Sequence, residues 1–323
     1  METDFVIWLQ NTWPALFWPM RLASELGPST TFGVILAGLY WCWDYGIMCR
    51  VWLANILGMW LTSVLKIAWH TPRPYWVESE VQGLTRASGF GMPSGHALVS
   101  TAVWASLARI VRKLRVSWVC GLIVLSVGFS RLYLGVHTLA QVLVGILLGL
   151  GLCFALPRIE QRLGAWYGLW SLPRKLMMIF LTSLGACFVA WGVREYAVQQ
   201  PVPQAWIDMA LEKRPQDGVI NPFSLHSAIL SAAMFTGFLG GYLILIHSKQ
   251  DLRPVGWRAR GWRILVGGGI VGPYVFLTRR LLRGEMLEDE PFAVVVGADY
   301  LYGLGTGILV SLIVPRVFNR LKI

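Results

Sequence analysis

Long apolar segments recur along the whole chain, and they constrain the fold more than any other feature of the sequence. Hydrophobic residues make up 55% of the chain and charged residues only 14%, and the mean hydropathy is +0.56. A soluble domain cannot bury so much apolar surface, whereas membrane-spanning helices can expose it to lipid. We therefore expect an all-α fold, a polytopic transmembrane helical bundle.

Nine of these segments are long enough to cross about 30 Å of hydrocarbon with some tilt. They cover roughly residues 30–44, 47–66, 95–111, 116–131, 138–156, 175–193, 224–247, 264–278 and 292–314. Residues 5–20 are also apolar, but Pro14 interrupts them and three tryptophans accompany it. Because tryptophan favours the membrane surface, this composition indicates an N-terminal interfacial helix.

The basic residues are distributed unequally between the two ends of these spans. One face collects 17 of the 28 Lys and Arg residues, and 13 of the 17 acidic residues fall on the other face or its loops. Cytoplasmic loops carry the excess of Lys and Arg, so the sequence predicts an external N-terminus and a cytoplasmic C-terminus. The net charge of +11 forms no continuous basic stripe, so we expect no nucleic-acid partner. The five cysteines show no pair spacing, and we expect no metal or other cofactor.

The stretch Pro93-Ser94-Gly95-His96 opens the third span on the external face. Pro93 suits the first turn of a helix, where its missing N–H is not needed. The backbone N–H groups of Ser94 and Gly95 then lie at a helix N-terminus, which favours an anion. His96 beside them can exchange a proton near neutral pH. Taken alone, the stretch is equally compatible with an ordinary loop-to-helix turn that carries a surface histidine.

More ionisable side chains reach the same face. Lys66 ends the second span and Arg73 follows it, while Arg131 ends the fourth span and precedes His137 and Gln141. A single cation at the end of a span is commonly an anchor that reaches for the interface. Several cations and histidines gathered at one face are costly in lipid and need a reason. A bound phosphoryl group supplies that reason, because it accepts charge-assisted hydrogen bonds from all of them.

The motifs Lys66…Arg73-Pro74, Pro93-Ser94-Gly95-His96 and Ser130-Arg131…His137 resemble the three signature motifs of the type 2 phosphatidic acid phosphatase superfamily. That superfamily includes lipid phosphate phosphatases and glucose-6-phosphatase. The run from Arg73 to Trp76 resembles the glucose-6-phosphatase branch, and so does Gln141, where most of the superfamily has Asp. The resemblance implies a metal-independent membrane phosphatase.

The resemblance also implies a covalent mechanism. His137 attacks phosphorus and forms a phosphohistidine, and His96 protonates the leaving oxygen and then activates water. Gln141 lies four residues after His137. If a helix begins there, the two side chains share a face, and Gln141 can accept a hydrogen bond from His137 Nδ1. The phosphoryl oxygens are bound by Lys66, Arg73, Ser94, Gly95 and Arg131.

On this interpretation residues 1–30 form the N-terminal interfacial segment, 31–156 the catalytic phosphatase core and 157–323 the C-terminal transmembrane helices. The C-terminal part echoes the earlier motifs in the same order, at Arg214-Pro215, Pro222 to His226 and Thr278-Arg279. Either a degenerate repeat or coincidence in an apolar sequence accounts for these echoes. Asp299 is an intramembrane acid, and we leave it outside the site.

The sequence leaves the substrate open. An amphipathic lipid phosphate or pyrophosphate suits a site at the membrane surface, and a sugar phosphate suits the glucose-6-phosphatase resemblance. An anion transporter that uses the same cationic site is an alternative of another class. The C-terminus lacks the paired lysines of an endoplasmic-reticulum retrieval signal. We therefore expect a bacterial cytoplasmic membrane, with membrane lipids around the protein and the site on the periplasmic or extracellular face. The sequence does not indicate an oligomeric state.

Overall fold

A computed structural model describes residues 2–28, 30–87, 89–217, 220–248, 256–283 and 291–323. Over these ranges the regular structure is helical and includes no strand, which confirms the predicted all-α class. The α-helices are α1 (Glu2–Thr12), α2 (Phe17–Ser24), α3 (Thr30–Cys42), α4 (Tyr45–Trp69), α5 (Pro74–Val77), α6 (Gly95–Val111), α7 (Leu114–Tyr133), α8 (Leu139–Tyr167), α9 (Leu172–Ala197), α10 (Gln204–Lys213), α11 (His226–His247), α12 (Trp257–Arg283), α13 (Phe292–Ile308) and α14 (Val314–Leu321). Short 3-10 turns occupy Pro14–Leu16 and Pro215–Asp217, and a π-helical turn occupies Leu309–Ile313.

Six helical stretches in the described ranges are long and apolar enough to cross a membrane. They are Tyr45–Val77, Leu114–Tyr133, Leu139–Tyr167, Leu172–Ala197, His226–His247 and Phe292–Leu321. Helices α3 and α6 are apolar but shorter, and α12, on the eighth predicted span, is not among the six. Since a helix satisfies its own backbone hydrogen bonds in lipid, these stretches support a multi-pass membrane protein. The count of nine spans stays a prediction.

The N-terminal apolar segment forms two helices instead of one. Pro14 begins the 3-10 turn that separates α1 from α2, at a position where its missing N–H is not needed. Both helices pack against α7. Val6 and Leu9 of α1 are buried in the same hydrophobic cluster as Tyr133. The segment therefore contributes to a core, in addition to its exposed tryptophans.

The described chain forms two compact units. The first comprises Met1–Phe32, Leu61–Pro157 and Trp191–Ser224. In this unit α6 packs against α7, and α10 packs against α5. Its core includes Tyr75, Trp76 and Phe90, which follow α4 and precede α6. All eight residues predicted for the site lie within this unit.

Within the first unit, the loop between α5 and α6 is held by residues far away in the sequence. Lys213 Nζ donates to the carbonyl of Ser79. Arg214 Nη1 donates to the carbonyl of Gly83 over 2.7 Å. Arg214, one of the residues that echo the earlier motifs, thus braces this loop.

The second unit comprises Gly33–Trp60, Arg158–Ala190 and Leu225–Ile323. Its helices α11 and α13 approach closely at Gly303, where a Cβ would lie only 2.6 Å from the carbonyl oxygen of Leu230. A glycine at this position permits the approach. His226 begins α11, and its Nδ1 lies 2.7 Å from Asp299 Oδ1 on α13. The intramembrane acid therefore has a histidine partner. Arg279, another residue of the proposed repeat, has a side chain outside the described part, and the repeat stays a prediction.

Candidate active site

Helix α6 begins at Gly95 with Ser94 as its N-cap, and Pro93 lies outside the helix. The expectation that Pro93 occupies the first helical turn is therefore wrong, because serine takes the extended capping position and the helix starts after it. Ser94 Oγ is buried, makes no capping bond and has no partner among the described residues. The first backbone N–H groups of a helix, here from Gly95 onward, also lack partners within that helix. The N–H of Ser94 was expected to be free for an anion, but it donates to the carbonyl of Gln141 over 3.0 Å. Together, the Ser94 hydroxyl and the N–H groups from Gly95 onward make this helix end suited to an anion.

The three predicted cations lie together near this helix end. Lys66, Arg73 and Arg131 each interact electrostatically with both His96 and His137. The Arg73 and Arg131 side chains are buried. Burying positive charge is costly unless an anion or polar partners compensate it. The cluster is therefore arranged to receive negative charge.

Two of these cations donate hydrogen bonds to neutral backbone carbonyls. Lys66 Nζ donates to the carbonyl of Phe90 over 2.5 Å, and Arg73 Nε donates to the carbonyl of Gly89 over 2.6 Å. Carbonyl oxygens satisfy the N–H groups but do not neutralise their charge. Arg131 Nε is buried and has no hydrogen-bond partner within the described ranges. A phosphoryl group has the charge and the acceptors that these groups lack.

The orientation of Gln141 is fixed by two backbone groups. Its Oε1 accepts from the N–H of Thr138 over 3.3 Å, and its Nε2 donates to the carbonyl of Pro72 over 2.9 Å. Oε1 also lies 3.1 Å from His137 Nδ1, which must therefore carry the proton and donate. The lone pair of His137 is then on Nε2, where Arg73 Nη1 approaches to 3.3 Å.

His137 lies in the turn between α7 and α8, and its side chain is buried. Burial holds the pKa of His137 well below its ordinary range, and the charges of Arg73, Lys66 and Arg131 lower it further. The hydrogen bond to Gln141 acts in the opposite direction on the pKa. A lowered pKa keeps the imidazole neutral at pH 7, which is the form that can act as a nucleophile.

His96 is the second residue of α6 and is half-buried. The turn after α2 passes directly over its ring: a Cβ at Gly27 would lie 2.9 Å from His96 Cδ2. The charges of Arg131, Lys66 and Arg73 act on His96 as they do on His137, so both histidines lie near the same three cations. The structure therefore brings together all eight residues predicted for the site.

Two residues of the N-terminal segment make contacts that the sequence did not predict, Ser24 with the site and Gln10 with segments next to it. Ser24 is buried, and its Oγ accepts a 2.5 Å hydrogen bond from Arg131 Nη1. Gln10 Nε2 donates over 2.9 Å to the carbonyls of Gln82 and Tyr133. A polar residue inside an apolar segment was the available signal for Gln10, but nothing in the sequence identified the partners of either residue.

Comparison with known proteins matches part of the chain to a family. A family model described as the PAP2 superfamily matches residues 47–165, a range that contains all eight predicted site residues. The chain is 31% identical to phosphatidylglycerophosphatase B of Bacillus subtilis (strain 168) over 40% of this chain and 66% of the relative. It is 30% identical to glucose-6-phosphatase catalytic subunit 1 of Haplochromis nubilus over 43% of this chain and 46% of the relative.

A third relative is sphingosine-1-phosphate phosphatase 2 of Mus musculus, which is 28% identical over 41% of this chain and 39% of the relative. The chain thus spans between 39% and 66% of the lengths of these three curated relatives. The named substrates of these relatives include both lipid and sugar phosphates. No solved structure matches the chain significantly.

Proposed function

The chain belongs to the PAP2 superfamily, and on that premise we propose that it is an integral membrane phosphatase acting through a phosphohistidine. Its substrate is a phosphate monoester or pyrophosphate of a lipid. The observation that carries the proposal is the arrangement around His137. Gln141 fixes the proton on Nδ1, Arg73 lies beside Nε2, and the charges of Lys66 and Arg131 also act on the ring.

In this proposal the cations and the α6 N-terminus bind the phosphoryl group. Arg73 turns from His137 Nε2 to a phosphoryl oxygen, and Arg131 uses its unpartnered Nε–H. Lys66, the unpartnered hydroxyl of Ser94 and the backbone N–H of Gly95 contribute further donors. These donors stabilise the charge that redistributes over the phosphoryl oxygens in the transition state.

The first chemical step forms a bond from His137 Nε2 to phosphorus and breaks the bond from phosphorus to the leaving oxygen. His96 donates a proton to that oxygen, which leaves as an alcohol or as a phosphate. The Nδ1 proton of His137 stays on the ring, held by Gln141 Oε1. The hydrogen bond thereby stabilises the charge that develops on the imidazole.

The second step regenerates the enzyme. His96, now neutral, takes a proton from water, and the oxygen of that water bonds to phosphorus while the bond to His137 Nε2 breaks. Inorganic phosphate leaves. One histidine thus serves as acid and then as base, which its position beside the anion-binding region allows. No step uses a metal ion.

Lipid substrates are favoured because the site residues lie at the ends of apolar helices, where an amphipathic head group is presented. A sugar phosphate is the second candidate. Its support is Gln141 together with the run from Arg73 to Trp76, both of which resemble the glucose-6-phosphatase branch. Relatives named as glucose-6-phosphatases also match the chain.

Phosphate release from a panel of esters tests the proposal directly. Purified protein in mixed micelles would be assayed with lipid phosphates, lipid pyrophosphates and sugar phosphates, with His137→Ala as the control. We expect the wild type to release phosphate from a lipid substrate, vanadate to inhibit and EDTA to leave the rate unchanged. EDTA inhibition reversed by one divalent ion would contradict the mechanism.

The transporter alternative makes a different prediction. An anion transporter would move phosphate across proteoliposomes without ester cleavage. It would lose this function on Arg131→Ala and retain it on His137→Ala. The phosphatase would lose turnover with either substitution.

A further inference from the structure

Thr62 lies at the predicted anion site although no motif includes it. It is on α4, four residues before Lys66, so the two side chains share one face of the helix. A Cβ at Gly95 would lie 2.8 Å from the Thr62 methyl group and 3.8 Å from its hydroxyl oxygen. Thr62 therefore packs directly against the first residue of α6, between Ser94 and His96.

The Thr62 hydroxyl is buried and has no hydrogen-bond partner among the residues that the structure describes. Three other threonines in the long helices behave differently. The hydroxyls of Thr182, Thr278 and Thr306 donate to the carbonyl four residues earlier in their own helices. A buried hydroxyl that does not use this local acceptor bears a free-energy cost, because it has lost water without gaining a partner.

Of the six buried side-chain atoms without a partner in the described ranges, three belong to this site. Ser94 Oγ and Arg131 Nε are also buried without partners in the described ranges. Both already belong to the predicted phosphoryl site. A single oxyanion with several lone pairs would satisfy all three groups at once, whereas separate water molecules would leave the cations uncompensated.

We propose that the Thr62 hydroxyl is a further phosphoryl-binding group, which donates a hydrogen bond to an oxygen of the bound phosphate. The proposal rests on the proposed function and extends its binding site by one residue on α4. The methyl group of Thr62 has a separate role, since it fills the space beside Gly95. The two roles can be tested separately, because valine keeps the methyl packing and serine keeps the hydroxyl.

A packing role and a binding role predict different effects of Thr62→Val on vanadate binding. If Thr62 only packs, valine removes an unsatisfied hydroxyl and leaves anion binding unchanged. If Thr62 binds the phosphoryl group, valine weakens vanadate binding about tenfold, which is the usual effect of removing one hydrogen bond to a charged group. Thr62→Ser should retain vanadate binding within about twofold of the wild type.

Thr101→Val is a matched control. Thr101 is also a buried threonine without a hydrogen-bond partner in the described chain. It lies six residues beyond Gly95 on α6, about 9 Å along the helix axis, and packs against Gly149. Its substitution makes the same chemical change away from the cations, so vanadate binding should not change.

The experiment measures the vanadate-induced rise in the thermal unfolding midpoint of the purified full-length protein, together with the vanadate inhibition constant. Without ligand, we expect Thr62→Val to unfold at or above the wild-type midpoint. With vanadate, we expect its midpoint to rise less than that of the wild type. Equal vanadate affinities for Thr62→Val and wild type would overturn the proposal, as would an equal loss in Thr101→Val. The thermal shift needs no turnover, so it tests the role of Thr62 even if no ester in the panel is hydrolysed. A lack of hydrolysis would reject the proposed function but not the role of Thr62 in binding vanadate.

Discussion

The side-chain oxygen of Gln141 lies 3.1 Å from His137 Nδ1, while the nitrogen of the same amide donates to the carbonyl of Pro72 over 2.9 Å. An aspartate or glutamate could accept from His137 but could not donate to Pro72. The amide thus orients the proposed nucleophile and also anchors the segment that leads into Arg73. These two roles can be separated by substitution.

Gln141→Glu is expected to move the acid limb of the pH–rate profile to higher pH by about one unit. A carboxylate beside His137 favours the protonated imidazole and raises its pKa, so the neutral nucleophile is lost earlier as the pH falls. The maximal rate should fall about tenfold, because the Pro72 carbonyl is left without a donor. Measurement of kcat against pH for the purified variant checks both effects.

Two further variants control this prediction. Gln141→Asp carries the same charge on a shorter side chain and should shift the acid limb in the same direction. Gln141→Met removes the anchor without adding charge, so its rate should fall without an upward shift of the acid limb. An unmoved acid limb in both carboxylate variants would show that Gln141 does not contact His137 during turnover.

Ser24→Ala is expected to lower kcat/KM and vanadate affinity about tenfold, because the buried Arg131 guanidinium loses the acceptor that holds its Nη1. Ser24→Thr keeps the hydroxyl and should retain most of both. Ser231→Ala is the control, since the hydroxyl of this buried serine donates to the carbonyl of Ser227 in its own helix. Unchanged vanadate affinity in Ser24→Ala would mean that Arg131 needs no positioning by the N-terminal segment.

The external position of the site is tested by labelling single cysteines with a membrane-impermeant reagent in intact cells. Ser79 and Ser248 are both exposed, and the positive-inside rule places them on opposite faces. After replacement of the five native cysteines, Ser79→Cys should react in intact cells and Ser248→Cys only after lysis. The reverse pattern would contradict both the topology and the proposed localisation.

The sequence predicted those parts of the site that depend on local spacing. Gln141 follows His137 by four positions, so the two side chains are within reach of each other at the start of α8, although His137 itself precedes the helix. The sequence also predicted that Lys66, Arg73 and Arg131 lie together, because the ends of neighbouring spans meet at one face.

The contacts made by Ser24, Gln10 and Arg214 were not predictable in the same way. Ser24 reaches Arg131 across 107 positions and Arg214 reaches Gly83 across 131. Such pairs leave no periodic pattern in the sequence, because tertiary packing alone determines them. The boundary at Pro93 was wrong for a different reason, since proline and serine both favour the start of a helix and only the fold decides between them.

The central claim is that His137 becomes phosphorylated during turnover. Its most direct test is rapid quenching with a radiolabelled phosphate ester, followed by mapping of the label by mass spectrometry. We predict an acid-labile, alkali-stable phosphate on His137, absent from His137→Ala and increased in His96→Ala with a substrate whose leaving group needs no protonation. Hydrolysis without any labelled enzyme in wild type and His96→Ala, or a label on another residue, would contradict the account.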